Sequence, residues 1–161
     1  MFRVVTIGGY GFTEETFLDA LRAAGVDTFV DVRQRRGMRG SRYAFLNSRR
    51  LQEMLAREGI RYLHLKRLAP TDEVRRIQKD EDSRLGQAKR ARSVLSPAFV
   101  AAYRDLVLAR QDPRAFAEEI GPGAKTVALF CVEKEPAACH RSLVAEWLAR
   151  HLGVEVEHVK P

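Results

Sequence analysis

The hydrophobic positions of the chain alternate between short β-branched runs and longer segments with helical spacing. Residues 3–7 and 28–32 are short, mostly apolar runs, which are typical of buried strands. Between these runs, Thr13 can cap a helix that Gly25 ends. The same order of strand and helix then repeats to the end of the chain.

Five strands and five helices are predicted in this way. The strand at 126–131 is the most apolar and is predicted to be central, whereas the alternating run at 154–159 is typical of an edge strand. Strands that alternate with helices predict an α/β fold: a three-layer sandwich with a mainly parallel sheet of about five strands and helices on both faces. The predicted strands cover residues 3–7, 28–32, 60–64, 126–131 and 154–159, and the predicted helices begin near residues 13, 47, 71, 96 and 140.

The length of 161 residues fits one domain, 1–161, and 45% apolar with 30% charged residues is the composition of an ordinary globular protein. A strongly charged helical stretch at about 71–95 has few apolar positions and is predicted to be an exposed or partly mobile insertion. The residues around 112–113 and 121–123 indicate a short connector.

No apolar run approaches the roughly 20 residues that span a bilayer. Two cysteines form no disulfide framework, so we expect a cytoplasmic protein with no membrane partner.

Positive charge is concentrated in one part of the chain. The formal net charge is +7, from 28 basic and 21 acidic residues. Residues 31–70 contain eleven basic and three acidic residues, a balance of +8, so the remaining seventeen basic and eighteen acidic residues sum to −1. A localised positive field attracts polyanions and phosphorylated ligands, so the expected partner is an anionic ligand such as a nucleotide or nucleic acid. The oligomeric state is left open.

Glycines, charged residues and cysteines follow directly after several of the predicted strands. In parallel sheets, ligands bind at the carboxyl ends of the strands, so these residues are the candidates for a site. We expect an anion or substrate to contact Gly8, Gly9, Asp31, Arg33, Cys131 and Arg141. For Gly8 and Gly9 a tight turn without a ligand is the favoured alternative, and His64 is favoured as a neutral histidine bonded to the backbone.

The strongest group of candidates joins the most apolar strand to the last helix. Cys139 and His140 are predicted at the helix N-terminus, where the helix dipole and Arg141 tend to lower a thiol pKa. Glu133 can orient the imidazole or act as a base. Catalytic roles are therefore predicted for Cys139, His140 and Glu133, although the segment is also compatible with a purely structural role. A metal site formed by Cys131, Cys139, His140 and Glu133 is a minor alternative, but the spacing matches no common zinc pattern, so we expect no metal and no cofactor. A Cys131–Cys139 redox pair is a further minor option.

A second group is the Arg-rich loop, residues 33–42, which contains five arginines in ten positions. Arginine gives bidentate contacts to phosphate and stacks on bases. The alternative to a binding role is that this run of charged residues forms only a solvated surface. Nucleic-acid-binding roles are predicted for Arg35, Arg36, Arg39 and Arg42.

These motifs together resemble a bacterial and archaeal family catalogued as domain of unknown function 488. The resemblance covers nearly the whole chain, implies a compact α/β domain with the motifs on one face, and implies no particular reaction. Many members carry His where Gly9 stands and a Gly-Gly pair near residues 68–70, and the stretch 71–92 is particular to this chain or its close relatives. The matching segments are Thr6-Ile7-Gly8, Val30-Asp31-Val32-Arg33, residues 59–65, and Cys131, Glu133, Pro136 and Cys139-His140-Arg141-Ser142.

Two functions of different class follow from the sequence. The leading hypothesis is an enzyme that acts on a phosphate-bearing substrate, with Cys139 or Glu133 reactive, His140 as acid/base partner, and Arg33 and Arg141 as anion clamps. The alternative is a non-catalytic nucleic-acid-binding module that uses the Arg-rich loop.

Overall fold

The computed structural model describes residues 1–88 and 92–161 and contains one five-stranded sheet. The strands lie in the order β3-β2-β4-β1-β5, and every neighbouring pair is parallel. This arrangement confirms the predicted α/β class and the parallel sheet, and it places the most apolar strand in the middle. The strands are β1 (Arg3–Ile7), β2 (Thr28–Asp31), β3 (Arg61–His64), β4 (Thr126–Phe130) and β5 (Val156–Val159).

Most of the helices begin at a side chain that caps them. The side-chain oxygens of Thr13, Thr71, Ser96 and Asp112 each accept a hydrogen bond from a backbone N–H of the following first turn. Cys139 holds the same position before the last helix without such a bond. The helices are α1 (Glu14–Ala23), α2 (Ser48–Arg57), α3 (Asp72–Leu85), α4 (Pro97–Leu106), α5 (Pro113–Ile120) and α6 (His140–Leu152).

Helix α5 lies where the sequence indicates only a connector. Asp112 caps it and Pro113 occupies its first turn, which are strong start signals, and its inner face buries Phe116 and Ile120. The eight residues of α5 are too few to show a helical hydrophobic period clearly. None of the helices in the described residues combines the length and the apolar character that crossing a membrane requires.

The charged insertion is more closely packed than its composition suggests. Helix α3 packs against α4, and Val74 is fully buried. Gln78 is also buried, and its Oε1 accepts a hydrogen bond from the backbone N–H of Ser96 at 2.8 Å. The described residues of the insertion therefore belong to the domain. Residues 89–91 of the predicted insertion lie outside the described residues.

Both faces of the central strands are covered. All residues of β2 and β4 are buried, as are residues 4–7 of β1. On one face, Phe17 of α1 packs edge-to-face against Phe29 and Phe130, with ring centroids 6.2 and 5.7 Å apart. Helix α6 contacts β1, β4 and β5. This packing fixes the carboxyl edge of the sheet, where the candidate residues lie.

Candidate functional site

The neighbouring strands β1 and β4 form the topological switch point of the sheet. From β1 the chain continues to β2 on one side, and from β4 it continues to β5 on the other side. Ligands of open α/β sheets bind in the crevice at the carboxyl ends of such strands. Here the residues that follow β4 fill this crevice themselves.

The two glycines after β1 allow this close packing. A Cβ atom on Gly8 would lie 2.1 Å from the carbonyl oxygen of Glu133, and one on Gly9 would lie 2.3 Å from Cδ1 of Leu46. The Gly9 N–H donates to the carbonyl oxygen of Val132 at 3.0 Å, so it does not face an anion. The structure therefore fits the tight-turn interpretation of Gly8 and Gly9 rather than anion binding.

Arg141 occupies the crevice and is fully buried. Its Nη1 donates to the carbonyl oxygen of Glu133 at 2.5 Å, and its Nη2 donates to that of Lys134 at 3.2 Å. Its buried Nε has no hydrogen-bond partner among the described residues. Arg141 thus holds the turn after β4 in place, and it also leaves a positive charge inside the protein.

Cys131, Cys139 and His140 meet beside this charge. The two sulfur atoms and a ring nitrogen of His140 all lie within 4.8 Å of one another. All three side chains are buried, with Cys139 only 1% exposed. The fold therefore brings together residues from the end of β4 and the start of α6, as the sequence predicts, but it encloses them. This buried group is called the cysteine cluster below.

The orientation of the His140 ring is fixed by the loop after β2. Its Nε2 lies 2.8 Å from the carbonyl oxygen of Val32, and because a carbonyl only accepts, Nε2 carries the proton. The other ring nitrogen, Nδ1, lies 4.0 Å from Cys139 Sγ. The Tyr103 ring and the imidazole pack in a T-shaped arrangement, with centroids 5.6 Å apart.

The electrostatic environment favours a charged sulfur. Burial alone raises the pKa of Cys139, but the contact with the Cys131 thiol and the charges of Arg141 and His140 outweigh it, so this pKa lies well below its usual value. For His140, burial lowers the pKa, while the contacts with Cys139 and the Val32 carbonyl raise it by more. These two shifts favour a Cys139 thiolate beside a His140 imidazolium.

Glu133 borders the cluster and is held by an arginine from the charged insertion. The Cys131 thiol donates to Glu133 Oε2 at 3.4 Å, and Arg92 Nη2 donates to Glu133 Oε1 at 3.1 Å. Arg92 also pairs with Asp82 at 2.8 Å and donates to the Ala138 carbonyl. Sequence analysis misses Arg92, because nothing in the sequence separates it from the other basic residues of the insertion.

Asp31 and Arg33 form a second buried group on the same edge. Asp31 accepts three hydrogen bonds from Arg33, through the backbone N–H, Nε and Nη2, at 3.1, 2.9 and 2.8 Å. Arg33 Nη1 donates to the Leu46 carbonyl, and its guanidinium lies 4.8 Å from the centre of the Phe130 ring. All three guanidinium nitrogens of Arg33 therefore donate within the protein, which argues against Arg33 as an anion clamp and Asp31 as a substrate contact.

Two neighbours complete this second group. The Tyr62 hydroxyl donates to Asp31 Oδ2 at 2.6 Å, and burial together with the Asp31 charge raises the pKa of Tyr62 to about 12. His64 Nε2 lies 2.7 Å from the Arg33 carbonyl oxygen, which fits the interpretation of His64 as a histidine bonded to the backbone. The group is thus internally satisfied.

The rest of the Arg-rich loop is exposed. Arg35, Arg39 and Arg42 lie on the surface and Arg36 is half-buried. None of these four is in an ion pair with the described residues. Arg36 donates to the Tyr62 hydroxyl at 3.4 Å, and the Arg42 guanidinium lies 5.1 Å from the centre of the Tyr43 ring. These side chains therefore present positive charge to solvent.

The backbone of the loop is nevertheless held in place. Asn47 Oδ1 accepts from the Met38 N–H at 2.7 Å, and the Asn47 amide donates back to the Met38 carbonyl at 3.4 Å. The Ser48 N–H donates to the Arg36 carbonyl at 3.2 Å. The start of α2 thus anchors the loop on both sides of Gly37.

A groove of about 470 Å³ borders the start of this loop. It lies between the residues after β3, the start of α3 and the end of α4. Gln34 is common to the loop and the groove, and Lys66, Arg67 and Arg110 supply positive charge along it. Arg67 is paired with Glu119 at 2.5 Å. Basic residues therefore extend from the loop along the carboxyl edge.

Comparison with curated proteins and with solved structures gives no match. The sequence model of one family, described as domain of unknown function DUF488, matches residues 13–148. That range includes helices α1 to α5, the complete strands β2, β3 and β4, and most of α6. The chain therefore belongs to the DUF488 family.

Proposed function

We propose that the protein binds nucleic acid through the Arg-rich loop at the carboxyl edge of the sheet. The observation that carries this proposal is that Arg35, Arg39 and Arg42 are exposed and have no acidic partner among the described residues. Guanidinium groups with free donors are suited to bidentate contacts with phosphate oxygens.

The length of the basic surface favours a polymer over a small anion. Lys66 and Arg110 line the groove that adjoins the loop, and Gln34 links the two. A strand that lies along this edge can contact several cations in succession, and each phosphate contact releases counterions from the nucleic acid. A single phosphate would use only a small part of this surface.

The anchored backbone supports the same proposal. Because Asn47 and Ser48 hold the loop by hydrogen bonds, its ordering costs less entropy on binding. The contacts are directed at phosphates, which give affinity without sequence information, so we expect little preference among sequences.

A variant with Arg35→Ala, Arg39→Ala and Arg42→Ala tests the proposal. The matched control is Arg57→Ala, Lys125→Ala and Arg150→Ala, which removes the same charge from exposed positions that precede β3, β4 and β5, toward the amino edge.

Binding of each protein to a short fluorescein-labelled DNA duplex and to single-stranded RNA is followed by fluorescence anisotropy. We expect the loop variant to lose more than about tenfold in affinity and the control variant to lose much less. Equal losses in both variants would attribute binding to net charge and contradict a role for the loop.

The enzyme hypothesis keeps one supporting observation, which is that Cys139, His140 and Glu133 lie close together. It requires a substrate to reach a sulfur that is 1% exposed. These residues line neither the groove beside Gln34 and Arg110 nor a second groove between the end of α4 and Trp147 of α6. Alkylation of Cys139 by iodoacetamide in the native protein, at the rate of a surface thiol, would favour this function. Protection of both thiols until the protein unfolds would oppose it.

A further inference from the structure

The cysteine cluster has the composition of a metal site. It contains two sulfur donors and one imidazole nitrogen, and all three donor atoms lie within 4.8 Å of one another. Two thiolates with an imidazole form a donor set that suits Zn²⁺. The three side chains are buried in the crevice at the switch point of the sheet, where the main chain on both sides is well packed.

The separations are close to those of a filled site. With Zn–S of about 2.3 Å and Zn–N of about 2.0 Å, tetrahedral ligand atoms lie roughly 3.5–3.8 Å apart. Cys139 Sγ and His140 Nδ1 are 4.0 Å apart. An ion between the three donors therefore requires only small movements of side chains, and no movement of β4 or α6.

The histidine has the outer contact that metal-bound histidines have. A ligating imidazole donates its other N–H to a carbonyl or carboxylate, which fixes the ring and the tautomer. The Nε2 of His140 lies 2.8 Å from the carbonyl oxygen of Val32, so Nδ1 is the nitrogen left to bind an ion. This bond crosses from α6 to the loop after β2.

The charge balance also fits a divalent ion. Two thiolates neutralise Zn²⁺, so a site that releases two protons when the ion binds adds no net charge to the interior. Glu133 Oε2 lies 3.4 Å from Cys131 Sγ, while Arg92 holds the other carboxylate oxygen. This places a carboxylate beside the fourth coordination position.

We propose that Cys131 Sγ, Cys139 Sγ and His140 Nδ1 bind one Zn²⁺ ion, with the Glu133 carboxylate beside the fourth position. The site is independent of the nucleic-acid surface. Its spacing, seven residues between the cysteines and then an adjacent histidine, differs from that of zinc fingers because the ligands come from a strand end and a helix start.

The purified, reduced protein is first stripped with a chelator and titrated with Zn²⁺ and with Co²⁺. We expect one ion per chain, protection of both thiols from alkylation, and thiolate-to-cobalt charge-transfer absorption with visible bands of tetrahedral Co²⁺. Failure to bind either ion, or a cobalt spectrum without thiolate absorption, would overturn the proposal. A Cys131–Cys139 disulfide found by mass spectrometry in place of a metal would also overturn it.

Variants then assign the ligands. Cys139→Ser and His140→Gln should each weaken Zn²⁺ binding by more than about 100-fold, since loss of even an outer contact costs 10–100-fold. His64→Gln is the matched control, because His64 also lies at the carboxyl edge and contacts a backbone carbonyl. It should bind as the wild type does. If a ligand variant fails to fold, the cobalt spectrum of the wild type still counts the thiolates and decides the question.

Discussion

Replacement of Asp31 by alanine tests whether the Asp31–Arg33 pair is structural or belongs to a ligand site. The carboxylate accepts three hydrogen bonds from Arg33 and one from the Tyr62 hydroxyl. Arg33 is only 3% exposed, so the variant leaves a buried guanidinium without its counter-charge. Removal of one partner of a buried ion pair costs about 3–5 kcal/mol.

Thermal unfolding followed by circular dichroism measures this loss. For a protein of this size, 1 kcal/mol corresponds to about 2–4 °C, so Asp31→Ala should lower Tm by roughly 6–20 °C. The double variant Asp31→Ala with Arg33→Met should recover much of the loss, because no buried charge is then left unpaired.

The exposed pair of Arg49 and Glu53 is the matched control. These side chains are 94% and 57% exposed, and such pairs contribute less than about 0.5 kcal/mol, so Glu53→Ala should leave Tm almost unchanged. If Asp31→Ala lowers Tm by less than about 2 °C, the pair does not carry the structural role derived for it. Arg33 would then again be a candidate for anion binding.

Two further predictions concern neighbouring parts of the carboxyl edge. Gly8→Ala should destabilise the protein by about 1–3 kcal/mol or more in chemical unfolding, because its Cβ would lie 2.1 Å from the Glu133 carbonyl oxygen, whereas Gly123→Ala meets no atom within 4 Å and should be nearly neutral. In an ultraviolet titration, the wild type should contain a phenol that ionises near pH 12, and the Tyr62→Phe variant should lack it. Because this pKa is raised in the folded state, the stability that the Tyr62 phenol contributes is present below about pH 10 and is lost as the pH rises toward 12. Equal stability of the two glycine variants, or an unchanged titration, would contradict these two accounts.

Strands β1, β2 and β4 were predictable because each is a short, nearly continuous apolar run, which is the pattern of a parallel sheet covered on both faces, and β5 was predictable as an edge strand because its residues alternate. The position of β4 followed from its apolar character. Helix α5 was missed because its two start signals lie in a segment that also contains several turn residues. The packing of α3 was missed because only Val74 and Gln78 of its fourteen residues are buried.

The sequence predicted which residues follow the strands, but it did not predict which of them are enclosed. The rule for parallel sheets brings Cys131, Cys139 and His140 to one edge. It does not show that Gly8 lets the chain after β4 approach so closely, or that Arg141 fills the crevice.

The partners of the arginines also depend on tertiary structure. Arg33 and Arg39 look alike in a basic run, yet one is buried against Asp31 and the other is exposed. Likewise, the sequence offers Cys131, Cys139 and His140 only as a minor metal alternative, because their spacing matches no common zinc pattern and their close approach is set by β4 and α6.

The salt dependence of binding to a DNA duplex tests the proposed function most directly. If Arg35, Arg36, Arg39 and Arg42 each neutralise one phosphate, these four contacts alone should make log K fall with log salt with a slope of about −3.6, which is about a 150-fold loss between 50 and 200 mM salt. The variant that lacks Arg35, Arg39 and Arg42 should have a slope that is shallower by about 2.7, because three phosphate contacts are lost. A flat response in the wild type, or the same slope in the variant, would contradict the proposal.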